Sequence, residues 1–248
     1  MIVIKNSTEL DAMRRVNRIT ARVRDELAAL VRPGITTLDL GNAAGELIRK
    51  HGGVSAFYGY HGFPGQICVS VNDEVVHGIP GPRVIREGDI VSIDTGISLG
   101  GFIGDTAITV AAGEISAEHK RLLEVTKASL HAGISKAVAG NRLGDISYAI
   151  QSVVEAAGFS IVREFVGHGI GRNLHEDPQI PNFGKPGHGP KLKPGMTLAI
   201  EPMVNIGDRK VEVLEDNWTV VTKDGSFSAH FEHTVAVGIS APEILTLP

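Results

Sequence analysis

The feature that most constrains this chain is a repeat inside it. Shifted by 106 residues, Gly34 falls on Gly140, Asp39 on Asp145, Leu40 on Ile146, Ala43 on Ala149 and Gly52 on Gly158. One residue of slip makes the shift 107, which pairs His61-Gly62 with His168-Gly169, Gly88 with Gly195, Ile93 with Ile200 and Asp94 with Glu201. Glycine matches arise by chance, so no single identity carries weight; their preserved order does. Each block reads as two helices followed by strands. A chain built twice from one unit folds about a pseudo-two-fold axis. That axis would bring the strand ending at Asp94 and the strand Thr197–Glu201 to related positions in one sheet.

The periodicity predicts the blocks in more detail. A helix begins at Asn6 or Ser7 and runs to about Val31, with Glu9 set for a capping box and Met13, Val16, Ile19, Val23, Leu27 and Leu30 on one stripe. Arg32-Pro33-Gly34 breaks it. A second helix from about Thr37 stops at His51-Gly52-Gly53, where glycine suits a left-handed cap. Helices from about Ser116 to Ala139 and from Gly144 to Ala157 open the second block. The expected halves are about 7–110 and 113–240, within a single domain of residues 1–248. Asp177 to Gly195, rich in Pro and Gly, reads as a long surface loop. The last strands fall at Lys210–Leu214, Trp218–Thr222 and His230–Val237.

Composition narrows the class. Hydrophobic content of 42% and a formal charge of −4 suit a soluble globular chain and give no reason to expect a nucleic-acid or membrane partner. No run approaches the length of a membrane span, and the first residues lack the basic and apolar regions of a secretion signal. The lone Cys68 cannot form an internal disulfide, which suits a reducing compartment. The cytoplasm is the expected location.

Within the first block, Ile90–Ile97 and Phe102–Thr109 flank Ser98-Leu99-Gly100-Gly101, the pattern of a β-hairpin. A turn centred between Leu99 and Gly100 pairs positions that sum to 199, so Asp94 faces Asp105. Opposed residues have Cβ atoms roughly 4.5–5.5 Å apart, and two carboxylates there repel unless a cation lies between them. Dinuclear hydrolytic sites hold their ions about 3.5–4 Å apart, a span that facing carboxylates can bridge. The residues equally allow one Asp to point into solvent and the other to cap a turn. A one-residue change of register would remove the pair.

Other candidates lie in the second block. His168 sits between glycines in Val166-Gly167-His168-Gly169-Ile170-Gly171, either a ligand or a turn residue, and His175 follows on the same stretch. Glu201 precedes Pro202, so its strand ends as the acid is presented; a salt bridge to Lys or Arg is the alternative. Glu232 begins a face shared with Thr234 and Ala236 if His230–Val237 is one strand. Four carboxylates and one imidazole suit Mn, Fe, Co or Zn in an open site more than a closed structural zinc, which wants Cys. There is no Gly-x-Ser-x-Gly elbow, and Gly167–Gly171 lacks the spacing of a dinucleotide loop. Cys68 reads as a buried strand residue rather than a nucleophile.

Taken together, Asp94 with Gly104-Asp105-Thr106, Gly167-His168-Gly169-Ile170-Gly171 followed by His175-Glu176-x-Pro178, Ile200-Glu201-Pro202-Met203 and Phe231-Glu232-His233-Thr234 resemble the methionine aminopeptidases in order and spacing. The likeness covers nearly the whole chain. The compact spacing between His175 and Glu201, with no N-terminal zinc-binding extension, resembles the type I enzymes in their bacterial form. The resemblance implies an α+β pita-bread fold: an antiparallel sheet, two external helix pairs and a pseudo-two-fold internal duplication. It implies two divalent metal ions (Co, Fe, Mn or Zn) at Asp94, Asp105, His168, Glu201 and Glu232, with Asp105 and Glu232 bridging. His77 and His175 match the histidines that contact the scissile amide and the transition-state oxygen, and Glu201 matches the general base.

Tyr58, Tyr60, His61, Phe63, Cys68 and Trp218 match positions at or near the methionine pocket. Leu174 stands where Phe is usual, which implies a differently shaped wall, and Ile103 replaces a common His. The implied reaction is attack of a metal-activated water on the first peptide bond, with the free α-amine on a metal and a small second residue. The implied partners are peptides and nascent-chain N-termini, with transient ribosome association, no membrane or nucleic acid, and a monomeric state. Prolidase-like peptidases share the five ligands but carry an N-terminal domain, for which the helix near Ser7 leaves no room. An inert binding protein of the same fold is the other alternative, and retention of all five ligand types argues against it.

Overall fold

The computed structural model describes all 248 residues. Its helices are α1 (Ser7–Ala28), α2 (Thr37–Lys50), α3 (Ala117–Ile134) and α4 (Leu143–Ala156). Their starts follow from side-chain caps. Asn6 accepts from the Glu9 amide while Glu9 accepts from the Asn6 amide, and Thr36 with Asp39 repeats the box at α2. Asp145, the counterpart of Asp39, accepts from the Arg142 amide at α4. α1 and α3 end earlier than Val31 and Ala139 because their last amides tighten to i−3 acceptors, Val31 to Ala28 and Ala137 to Ile134. Leu30 therefore leaves the buried stripe and is exposed, whereas Met13, Val16, Val23 and Leu27 are buried completely.

The matched glycines share a backbone conformation as well as a position. Gly34 and Gly140 have φ of 93° and 97°, Gly52 and Gly158 75° and 78°, and Gly88 and Gly195 90° and 86°. Each pair occupies the left-handed region that side chains avoid, so the two halves follow one backbone path.

Every strand ladder is antiparallel. In the first half, Ile90–Leu99 is central, with Val54–Ser55 and Cys68–Val71 on one edge and Phe102–Ala111 on the other. In the second half, five strands run in the order Glu243–Ile244, His233–Ala236, Thr197–Ile200, Gly167–Gly169 and Glu176–Ile180. Two three-stranded sheets complete the fold: Ser228–His230, Met203–Asn205 and Ser160–Ile161 form one, and Val211–Val213, Val220–Thr222 and Glu74–Val76 the other. Residues 177–180, expected in a loop, are instead strand, because Gly167–Gly169 offers them an edge to pair with.

The expected single sheet is also divided. The run His230–Val237 is not one strand; it breaks at Phe231-Glu232, where the Glu232 amide turns to donate to the Ala107 carbonyl. The halves are stitched along this break. Thr106 donates to the Glu232 carbonyl, Thr109 to that of His230 and Thr234 to that of Asp105. One apolar core lies under α1 and α2 and a second under α3 and α4. Antiparallel sheets backed by two helix pairs are the pita-bread arrangement. No helix is long and apolar enough to cross a membrane.

Candidate metal and active site

The hairpin turns at Gly100-Gly101, both with positive φ (62° and 80°), as a two-residue turn of the primed kind requires. Leu99 pairs with Phe102, so paired positions sum to 201 rather than 199. Asp94 pairs with Ala107 and Asp105 with Gly96; the two acids do not face each other directly as the sequence predicted. The slip is two residues, so parity survives and both acids project from the same face as diagonal neighbours. A Cβ at Gly96 would lie 2.4 Å from the Phe57 ring, so the absent side chain makes room for that ring to wall the site.

The second half brings its ligands to the same place. His168 is flanked by Gly167 and Gly169, where a Cβ would lie 2.4 Å from the Ala199 carbonyl oxygen and 2.1 Å from that of Asp177. Only glycine lets this strand approach its neighbours so closely. His168 Nδ1 lies 2.9 Å from the Gly169 carbonyl. Its Nε2 lies 3.8 Å from Asp105 Oδ2 and 3.5 Å from Glu201 Oε1. Glu201 follows the strand Thr197–Ile200, and its carbonyl accepts from Asn182 Nδ2 at 3.0 Å. Asp105, His168 and Glu232 each place a ligand atom within 4.8 Å of the other two.

These groups fit a divalent cation. Oδ1 of Asp94, Oδ1 of Asp105 and Oε1 of Glu232 are buried with no hydrogen-bond partner, a costly arrangement for acids. Burial pushes the Asp94 carboxyl up to about 7. Burial and then the charges of their acidic neighbours hold Asp105, Glu201 and Glu232 well above the carboxylate range. Arg24 acts on Glu232 in the opposite sense, but its guanidinium donates to Thr106 rather than to a carboxylate of the cluster. Burial lowers His168 to about 3, so the ring is neutral with a lone pair to give. Oxygen donors with one imidazole and unsatisfied atoms describe an open metal centre.

The cluster forms the floor of a cavity of about 260 Å³. Tyr60, His61, Phe63, Cys68, Leu174 and Trp218 line it, together with His77 and His175. Tyr58 does not: it is 63% exposed, beside a separate depression with Ile48 and Val54. Ser55 Oγ accepts from the amides of both Phe57 and Tyr58, and the tight turn this makes directs Phe57 inward and Tyr58 outward. Cys68 pairs with Asp94 across the ladder, and burial pushes its thiol up, so it presents a neutral wall. His77, at φ 60°, meets Phe165 and Trp218 edge-on, and burial lowers it to about 4. His175 accepts or donates through Nδ1 to the Tyr60 hydroxyl at 2.7 Å and packs against His168.

Sequence reasoning missed His230, Phe57, Val76, Phe165, Val166 and Met203 in this lining. The Nε2 of His230 is buried, unpartnered and 3.7 Å from Glu201 Oε2. Its signal was present, since strand alternation puts residue 230 on the face of Glu232. Phe165 and Val166 lie in irregular backbone before His168, where no periodicity applies.

Fold and site together define a metal-dependent peptidase: residues 11–238 match the model of metallopeptidase family M24, and the chain belongs to that family. It is similar to methionine aminopeptidases. Identity is 55% over 247 residues to the methionine aminopeptidase of Clostridium perfringens (100% of this chain, 99% of that protein). It is 55% over 246 residues to methionine aminopeptidase 1 of Bacillus subtilis (99% of each). The crystal structure of methionine aminopeptidase from Rickettsia prowazekii superposes with a TM-score of 0.98 at 41% identity over 100% of both chains.

Proposed function

We propose that this chain removes the N-terminal methionine from peptides and nascent proteins, using two divalent ions held by Asp94, Asp105, His168, Glu201 and Glu232. The observation that carries the reading is the convergence of these five side chains, from both halves, on the floor of one apolar-walled cavity. Asp105, Glu232 and His168, whose ligand atoms lie within 4.8 Å of one another, would hold an ion in common. The ions, when bound, supply Lewis acidity and a water acidic enough to attack near neutral pH. Cobalt, iron, manganese and zinc all accept this donor set.

The chain's own residues do the rest. Glu201, set between His168 and His230 at 3.5 and 3.7 Å, takes a proton from the attacking water and passes it to the leaving amine. His175 donates a hydrogen bond to the oxygen that becomes negative as the carbonyl carbon turns tetrahedral. His77 contacts the scissile amide from the wall formed with Phe165 and Trp218. Phe57, Phe63, Cys68, Leu174 and Trp218 exclude water and receive the methionine side chain, which an apolar wall distinguishes from a chain one methylene shorter by roughly 1–3 kcal/mol. The same reading makes the chain a cytoplasmic monomer in transient contact with the ribosome.

The test is release of methionine from Met-Ala-Ser after chelation and add-back of single metals, beside an Ala-Pro peptide. Metal-restored cleavage of the first alone is expected. Preference for proline in second place, or turnover indifferent to chelation, defeats the proposal.

A further inference from the structure

His168 and His175 pack edge to face with ring centroids 4.3 Å apart, yet their Nδ1 atoms meet opposite kinds of partner. The Nδ1 of His168 lies 2.9 Å from the Gly169 carbonyl. A carbonyl only accepts, so this nitrogen carries the ring hydrogen and Nε2 keeps the lone pair, on the side of Asp105 and Glu201. The Nδ1 of His175 lies 2.7 Å from the Tyr60 hydroxyl, which makes no other hydrogen bond in the protein. A phenol is protonated far above neutral pH. Were Nδ1 of His175 the donor, the phenolic hydrogen would have no acceptor; with Tyr60 donating, both groups are used. The ring hydrogen of His175 then sits on Nε2, the nitrogen left free at the cavity.

The turn that carries Tyr60 is fixed on both sides. The Gly59 amide donates to the Phe63 carbonyl and the Tyr60 amide to that of Phe57. Ser55 Oγ donates to the Gln66 carbonyl below them. Gly59 and His61 both take positive φ, 80° and 48°, to fold the chain tightly enough for the hydroxyl to reach His175.

We infer that Tyr60 is a positioning residue: by donating to Nδ1 it locks His175 in the Nε2–H tautomer, the reverse of its neighbour His168. Of two touching imidazoles, one can then only offer a lone pair to a metal and the other can only offer a hydrogen bond to the reacting carbonyl. The opposite tautomer of His175 would aim a lone pair at a developing negative charge. Its consequence for turnover rests on the reading of His175 given above; the protonation pattern does not.

The test uses histidine-labelled full-length protein, stripped with a chelator at mildly alkaline pH, and nitrogen NMR. His168 is expected as Nδ1–H and His175 as Nε2–H, and in Tyr60→Phe the His175 signals move toward a mixture of tautomers while those of His168 stay. In the cobalt-loaded protein, Tyr60→Phe lowers kcat on Met-Ala-Ser about tenfold with KM within about twofold. Wild-type His175 as Nδ1–H, or a Tyr60→Phe spectrum in which His175 is unchanged, overturns the inference whatever the kinetics. So does a raised KM at constant kcat, which would make Tyr60 only a wall. If Tyr60→Phe does not fold, the wild-type spectrum decides. Should His175→Ala turn over normally while the tautomers are as described, the donor role of His175 fails and the locking by Tyr60 stands.

Discussion

Asp94 and Asp105 stand on adjacent strands as diagonal neighbours, with Ala107 opposite the first and Gly96 opposite the second. Ala107 is small enough to leave room above the ladder for the carboxylates, while the Phe57 ring covers Gly96. The acids repel, and so the apo protein carries an electrostatic load whose size depends on pH.

That load predicts a pH effect with a definite sign. Asp94, raised to about 7, and Asp105, Glu201 and Glu232, raised well above their usual range, lose protons in the unfolded chain before the folded one. Folding is therefore destabilised as pH rises past the ordinary carboxylate range. The buried histidines act oppositely, but only below their ordinary value of 6.5. Between there and mildly alkaline pH the metal-free protein loses stability in urea unfolding, while metal-loaded protein holds it. Asp94→Asn lessens the slope; an equal slope in that variant contradicts the assignment.

Lys5 and Glu176 form an ion pair at 2.6 Å with both side chains nearly buried, and Glu176 also accepts from the amides of Arg172 and Asn173. Lys5→Met leaves a buried acid unpaired and costs about 3–5 kcal/mol in denaturant unfolding. Adding Glu176→Gln recovers part of it. Additive single effects would show that the pair does not couple.

Glu201→Gln keeps the shape of the side chain and removes its basicity. Turnover of Met-Ala-Ser falls by about 100-fold or more, with thermal stability of the metal-free protein unchanged or raised. Near-normal kcat in this variant would remove Glu201 from proton transfer.

Gly167→Ala places a methyl 2.4 Å from the backbone oxygen of Ala199, which cannot rotate away. The strand bearing His168 must shift. The expected cost is about 1–3 kcal/mol of stability and about tenfold or more in metal affinity by calorimetric titration. Unaltered affinity would mean that His168 is not held by this close approach.

The helices were legible in the sequence because their signals are local, a cap at Asn6 and breaks at Gly34 and Gly52, and the five candidate ligands stood out as acids and an imidazole within strand and glycine patterns. The hairpin register was not, because Leu99-Gly100 and Gly100-Gly101 are both plausible turn centres until the φ values of both glycines are known. The conclusion that Asp94 and Asp105 share a face survived only because the slip was even. The break at Phe231-Glu232 was hidden for a different reason. An alternating run looks like one strand, and what interrupts it is the distant Ala107 carbonyl, which competes for the Glu232 amide. Tyr58 was misplaced because adjacent aromatics in a turn give no sequence clue to which one faces inward.

The seam between the halves has a consequence for how a cell makes this polypeptide. Asp94 and Asp105 are made well before Glu232, and Thr106 and Thr234 can hold those stretches together only once both exist. A partly synthesised copy, even with its first core assembled, is an unarmed protease. The metal cluster is whole only when both halves have been made and joined along that seam.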